Sequence, residues 1–461
     1  NSCFPGQRRV HGNGRASMAP AAVEAQLGDG EGLCGGRALG PAACFPAAGQ
    51  LWRALEDAQH RRLASQGERC GGQAWWPEQR EAQAHNLLHQ PLPPVAFSPD
   101  SPVGPRRQHL PETVEASEPW EAADWPAARF HESFRGGACA LVQLPQRPPR
   151  AELQRLAAVG AESELQPLVV RGLPLLRPAE RWDFRYLEEQ MGGGQYHVFR
   201  VAKELNEFTY YSEERNEANF QCEPPCESLQ MTFAEFHALH RSAVAGECEF
   251  CHYLQTPLLQ WDSAHGGPPD VNPGLRDSLV SDLSELNMEV LQSLADAWHL
   301  EMPYMAQLFC SGQGAYSPLH YDQLQNVYLQ VTGTKRFLLF SPSDSYCFYP
   351  YPVHHPLDRK ARTDMGLSPA AAARAWPQLE DARGRGLEVL LRPGDVLFIP
   401  SHWWHCVQSL ERENVSLNVW FTCSDALTDP DRLAPSLHAA RLLELARHAE
   451  LFLSEQCGAA R

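Results

Sequence analysis

Residues 314–340 read GAYSPLHYDQLQNVYLQVTGTKRFLLF, and residues 391–407 read LRPGDVLFIPSHWWHCV. In the first stretch, 327–331 and 336–340 are rich in β-branched, leucine and aromatic residues, and Gly333 sits at the turn between them. That is the pattern of a β-hairpin. In the second, 396–400 follows the turn Pro393-Gly394-Asp395 and reads as another strand. Hairpin strands so far apart in sequence predict a small β-barrel, in a chain that is mainly β with flanking helices packed on that core.

His320 and Asp322 lie in the first stretch and His405 lies near the end of the second. Alternation along a strand puts residues two apart on one side, so His320 and Asp322 are expected to point into the same interior. Two imidazoles and one carboxylate are the facial set that holds Fe(II) while leaving positions open. A lone His-x-Asp is more often a surface turn, and it is the flanking strands and the later His405 that favour a metal site. Lys335 opens the strand after the Gly333 turn, where an ammonium inside an apolar barrel needs an anion such as a dicarboxylic cosubstrate. Trp403 and Trp404 read as packing groups. His354 and His355 read as structural, since neighbours on a strand face opposite ways.

The chain has 461 residues and a formal net charge of −17, which argues against general nucleic-acid binding. No apolar run reaches the length of a membrane span, and no secretory signal opens the chain, so cytosol or nucleus is expected. Fourteen cysteines without regular spacing suit free thiols. Cys222, Cys226, Cys248 and Cys251 form two pairs that suggest zinc, but 248–255 reads as a strand, where residues three apart face opposite ways.

By composition, 1–115 is a low-complexity extension expected to be disordered, 116–424 the folded domain, and 425–461 a C-terminal helical segment whose leucines suit a partner surface. Within the domain we expect strands at 165–173, 196–202 and 208–211. Helices are expected at 181–191, at 232–243 with Thr232 and Glu235 as a capping box, at 282–298 and at 370–381.

From about residue 166 to 421 the chain resembles the JmjC-type, cupin-fold 2-oxoglutarate oxygenases, and within them the asparaginyl hydroxylases typified by factor inhibiting HIF. The matching segments are RWDFRYLEEQMGGGQYHVF, EFTYYSEERNEANFQ, MTFAEF, YLQ, SPLHYDQLQNVYLQVTGTKR, YPYPVHHPLDR and PGDVLFIPSHWWH. The resemblance implies a double-stranded β-helix (jelly-roll) core and an Fe(II)- and 2-oxoglutarate-dependent dioxygenase, with ascorbate as reductant, that hydroxylates Asn, or Asp or His, in ankyrin-repeat or transcription-factor partners. It also implies a homodimer through the C-terminal helices.

Carried over residue by residue, the resemblance places His320, Asp322 and His405 on the iron and Lys335 on the distal carboxylate of 2-oxoglutarate. Tyr253 and Ser317 fall on hydroxyl positions for that carboxylate, Ser317 standing where the family has threonine. Asn326 and Asn418 fall on amides that line the cosubstrate pocket. Tyr210, Gln255, Arg359 and Trp420 fall on positions bordering the protein substrate. The chain departs from the family at Lys360, where a glutamine is usual and a lysine only donates, and at Cys406, where a second histidine is usual. Two other readings stand beside this one: an N-methyl-lysine demethylase or RNA-modifying hydroxylase, and a non-catalytic cupin-like binding module.

Overall fold

The computed structural model describes residues 125–144, 166–216, 222–261, 268–298, 300, 303–353, 355–422, 447 and 450. The low-complexity reading of 1–115 and the pairing helix of 425–461 lie outside the described residues, apart from Arg447 and Glu450.

The chain forms β1 (Arg135–Ala138), β2 (Ala140–Gln143), β3 (Leu168–Arg171), β4 (Tyr196–Ala202), β5 (Glu227–Met231), β6 (Phe250–Gln260) and β7 (Asp270–Val271). Then come β8 (Pro303–Gly312), β9 (Tyr316–His320), β10 (Gln325–Thr332), β11 (Lys335–Phe340), β12 (Gly386–Leu391), β13 (Val396–Ile399), β14 (Trp404–Ser409) and β15 (Glu413–Phe421). One sheet has five strands in the order β1-β12-β11-β14-β9; the larger runs β2-β3-β13-β10-β15-β8-β6-β4-β5, with β7 on β6. From β8 to β15 successive strands change sheet at every step but one, β11 to β12, which pair directly. That winding is the jelly roll that the family resemblance implies.

The central strands β10 and β15 of the larger sheet are buried on both sides, and their alternation sorts two kinds of residue. Val327, Leu329 and Val331 of β10 and Val415, Leu417, Val419 and Phe421 of β15 belong to one apolar cluster with Leu308 of β8. The same cluster takes in Phe184 and Leu187 of α1 (Phe184–Gln190), Phe233 and Phe236 of α2 (Phe233–Ala245), Leu279 and Leu283 of α3 (Asp277–Ser284), and Val290, Leu291 and Leu294 of α4 (Met288–Trp298). Helices therefore cover the outer face and drive its burial. The alternate residues, Asn326, Tyr328 and Gln330 on β10 and Asn414, Ser416, Asn418 and Trp420 on β15, turn to the inside, where all are buried.

Local chemistry explains several element ends. Thr232 and Glu235 form the capping box that opens α2, as read from the sequence. Gly333, with φ +73°, makes the β10–β11 turn, where a Cβ would come within 2.2 Å of the Glu413 carbonyl. The expected helix over 282–298 is instead α3 and α4. Asn287 breaks it: its N–H and side-chain amide donate to the Leu175 and Pro174 carbonyls, and its Oδ1 accepts from Val290 N–H as the cap of α4. Residues 208–211 are not a strand; only a bridge between Glu207 and Tyr316 forms there. The alanine-rich helix is α5 (Pro369–Ala375), which gives way at Pro377 to a 3-10 turn. None of the described helices is long and apolar enough to cross a membrane.

Candidate metal centre

His320 ends β9 and His405 stands directly opposite it on β14, their rings 4.3 Å apart. Asp322 completes the group, and one ligand atom from each of the three lies within 4.8 Å of the others. His405 Nε2 is 3.6 Å from Asp322 Oδ2. Strand alternation does not place Asp322, as the sequence had suggested, because β9 stops at His320. The loop is fixed from both sides instead: His402 N–H donates to the Asp322 carbonyl at 2.7 Å, and Tyr321 N–H donates to the Arg359 carbonyl at 3.1 Å. Both fixing residues have left-handed backbones, Arg359 at φ +67° and His402 at φ +65°, a conformation that side chains other than glycine rarely adopt away from functional sites.

The protonation states suit a cation. The His320 Nδ1 lies 2.7 Å from the Pro318 carbonyl and the His405 Nδ1 2.9 Å from that of Trp403, so each Nδ1–H donates and each Nε2 keeps its lone pair. Burial, the neighbouring imidazole of His405 and the Lys360 ammonium hold the His320 imidazolium well below its usual range. Burial also lowers His405. Burial pushes the Asp322 carboxyl up, but His320, His405, Arg359 and Lys360 outweigh it and keep the group ionised. Two neutral imidazoles and a carboxylate are the state that binds a divalent metal.

Deeper in the barrel, Lys335 is fully buried. Its Nζ donates to Tyr328 Oη at 2.8 Å and to Ser416 Oγ at 3.2 Å, and lies 5.6 Å from the centre of the Tyr253 ring. No carboxylate among the described residues pairs with it, and burial pulls its ammonium down to about 7. The Oδ1 atoms of Asn326 and Asn418 are buried without a hydrogen-bond partner. A cation faced only by neutral groups, beside two carboxamides that can each offer NH2 or oxygen, fits a small polar anion.

The remaining residues expected at the site converge to different degrees. Ser317 is three residues before His320, yet a bulge pairs Ser317 with Val407 and His320 with His405, which puts both on one face. Tyr253 and Gln255 lie two apart on β6, opposite Ser311 and Phe309 of β8. Arg359 Nη1 is 3.6 Å from Asp322 Oδ1. Tyr210 packs edge-on against Phe199, and Lys360 Nζ lies 5.9 Å from its ring centre. Trp420 is opposite Asn326, and its Nε1–H donates to Gln307 at 3.1 Å. The sequence reading missed Tyr328, Ser416 and Gln307. The signal was present in the alternation N-V-Y-L-Q and N-V-S-L-N-V-W, where the polar residues of a fully buried strand share one side.

Among the described residues the three ligands above are the only close cluster of metal-binding side chains. Cys222 is exposed, Cys248 and Cys251 are half-buried, and buried Cys226 donates its thiol to the Thr209 carbonyl at 3.2 Å. Burial raises the Cys226 thiol to about 12, and these cysteines do not form a close metal-binding cluster among the described residues.

Comparison with known proteins agrees with this geometry. The family described as "Cupin-like domain" matches residues 160–426, more than half of the chain. HSPB1-associated protein 1 of Bos taurus is 28% identical over 258 residues, covering 55% of this chain and 48% of that protein. Jumonji C domain-containing protein 5 of Drosophila melanogaster is 37% identical over 109 residues, covering 23% and 25%. Lysine-specific demethylase JMJ31 of Arabidopsis thaliana is 30% identical over 119 residues, covering 26% and 21%. The chain thus spans less than half the length of each of these relatives. The jelly roll, the His-Asp-His set and the JmjC relatives fit Fe(II) and 2-oxoglutarate together. The chain belongs to the cupin-like domain family.

Proposed function

We propose that this chain is an Fe(II)- and 2-oxoglutarate-dependent protein hydroxylase that acts on Asn, or on Asp or His, in ankyrin-repeat or transcription-factor partners. The observation that carries the oxygenase class is a facial His320, Asp322 and His405 set in the same barrel as a buried Lys335 that lacks an anion among the described residues. His320, Asp322 and His405 would hold the metal, and Lys335, with the hydroxyls of Tyr328 and Ser416 around it, would take the far carboxylate of the cosubstrate. With dioxygen, Fe(II) and 2-oxoglutarate supply the oxidation of a C–H bond coupled to loss of carbon dioxide, and ascorbate keeps the metal reduced.

The protein's part is placement. Arg359 and Lys360 border the metal centre on the segment that bridges His320, and Tyr210, Gln255 and Trp420 stand on elements around the same interior. A carboxamide or carboxylate on the substrate would accept from Arg359 and Lys360, which sets its β-carbon near the metal. Lys360 donates only, which favours an acceptor-rich target side chain. The name of the JMJ31 relative favours a second reading, N-methyl-lysine demethylation, but two cations beside the metal would repel a methylated ammonium.

The test is tandem mass spectrometry of a consensus ankyrin-repeat protein after incubation with the protein, Fe(II), 2-oxoglutarate and ascorbate, with His405→Ala as control. One added oxygen at a repeat Asn, Asp or His, absent from the control, supports the proposal. Decarboxylation of 2-oxoglutarate without an added oxygen would retain the oxygenase class and reject the substrate.

A further inference from the structure

Tyr321 separates the metal residues His320 and Asp322 in sequence and is almost wholly buried. Its ring stacks on His402 at 5.4 Å, whose N–H holds the Asp322 carbonyl, and meets Trp404, the neighbour of His405, edge-on at 4.8 Å. One side chain therefore touches the elements that carry all three metal residues. Its hydroxyl accepts from Arg447 Nη1 at 3.1 Å.

Arg447 is buried and helical, and it comes from the C-terminal segment, far in sequence from the barrel strands. Its guanidinium forks Asp358, Nη1 to Oδ1 at 2.5 Å and Nη2 to Oδ2 at 2.9 Å. Asp358 also accepts from Arg215 Nη1 at 2.9 Å and has Arg359 Nε at 3.9 Å. Arg359 in turn lies between Asp358 and the metal carboxylate Asp322, 3.6 Å away. Arg447 forks Asp358 while Arg359 lies between that carboxylate and Asp322; without Arg447, Asp358 would draw the Arg359 guanidinium toward itself. Glu450 Oε1 accepts from Val353 N–H at 2.8 Å, a contact that touches neither Tyr321 nor Asp358 directly.

We propose that Arg447 is a positioning residue of the metal centre, bracing the Asp322 loop through Tyr321 and the orientation of Arg359 through Asp358. The inference rests on the reading of His320, Asp322 and His405 as metal ligands. Arg447, from the C-terminal part of the chain, is thereby part of the machinery that keeps the ligands in binding geometry.

The experiment measures Mn(II) affinity of the full chain by the EPR signal of free Mn(II), beside thermal unfolding, for wild type and Arg447→Met, Arg447→Lys, Tyr321→Phe, Glu450→Ala and His405→Ala. Arg447→Met is expected to weaken Mn(II) binding about 10- to 100-fold, the range seen when groups that orient metal ligands are lost. Arg447→Lys restores part of that, because a lysine keeps the charge but not the fork. Tyr321→Phe, which removes only the hydroxyl, weakens binding by a smaller factor, and Glu450→Ala leaves it within about twofold. Unchanged affinity in Arg447→Met, or equal losses in Arg447→Met and Glu450→Ala, overturns the proposal. Should Arg447→Met fail to fold, Tyr321→Phe decides: wild-type affinity there overturns it. Failure of the wild type to bind Mn(II), or wild-type binding by His405→Ala, would sink the ligand reading itself.

Discussion

Replacing Lys335 by methionine should make the protein more stable while removing its response to 2-oxoglutarate. The ammonium is fully buried, and burial lowers it from 10.5 to about 7. Each factor of ten in an ionisation constant is ~1.4 kcal/mol, so holding the charge with no anion beside it costs about 5 kcal/mol. The sign is fixed by proton counts. Between pH 7 and 10.5 the unfolded chain holds a proton on this lysine and the folded chain does not, so stability rises with pH across that window. Below pH 7 both states are protonated and the full cost is present.

Methionine has similar length and no charge. The substitution loses two hydrogen bonds, but Tyr328 Oη and Ser416 Oγ already lie 2.7 Å apart and can satisfy each other. That offset is about 1 kcal/mol, which leaves a net gain on the order of 3–4 kcal/mol at pH 6. Thermal unfolding at pH 6 and pH 9, without metal or cosubstrate, reads it: the Met variant gains several degrees at pH 6 and less at pH 9. Adding 2-oxoglutarate at a hundred times its Kd should stabilise the wild type by about 2.7 kcal/mol and the variant by nothing. A lower Tm for the variant at pH 6, or an equal response of both proteins to 2-oxoglutarate, would refute the reasoning.

Three further outcomes are expected. Because Lys335 is largely neutral above pH 7 without an anion, 2-oxoglutarate binding at pH 8 should take up close to one proton; calorimetry in buffers of different ionisation heat measures it, and zero uptake contradicts the assignment. His240 is buried against Phe184 and Phe236, and burial with the nearby His237 and His252 lowers it to about 4. It stays neutral in the fold but charges at 6.5 in the unfolded chain, so it withdraws stability as pH falls from 6.5 to 4. His240→Phe should remove about 2–3 kcal/mol of that acid sensitivity in urea titrations at pH 4 and pH 7. Buried Asp282 accepts from Trp182 Nε1 at 2.8 Å and Tyr186 Oη at 2.7 Å and pairs with Arg181. Asp282→Asn should cost about 2–4 kcal/mol by urea unfolding and leave Mn(II) affinity unchanged, since it ties the helical layer and not the metal loop.

Much of the barrel was legible because its strands obey local rules. Gly333 needs a left-handed turn, 396–399 follows a proline-glycine turn, and the capping box at Thr232 and Glu235 has one reading. What escaped was set by contacts distant in sequence. No pattern in 282–298 announces that Asn287 will bond to Pro174 and Leu175, and a helix period runs through it unbroken until those partners are known. Asp322 does lie beside His320 and His405, but its position comes from His402 and Arg359 and not from the strand alternation expected of it.

The most informative signal was the least visible. A strand buried on both faces normally reads as an unbroken apolar run, yet β10 and β15 place Asn326, Tyr328, Ser416 and Asn418 at every second position. Polar groups inside a closed sheet cost free energy unless something meets them. Part of that demand is met internally, by Lys335 on Tyr328 and Ser416, and part is not, at the two asparagine oxygens and at the charge of Lys335 itself. Two-residue polar alternation on strands buried on both faces is therefore a sequence mark of a ligand-holding barrel. It would have pointed to the Lys335 end of this site independently of the three metal residues.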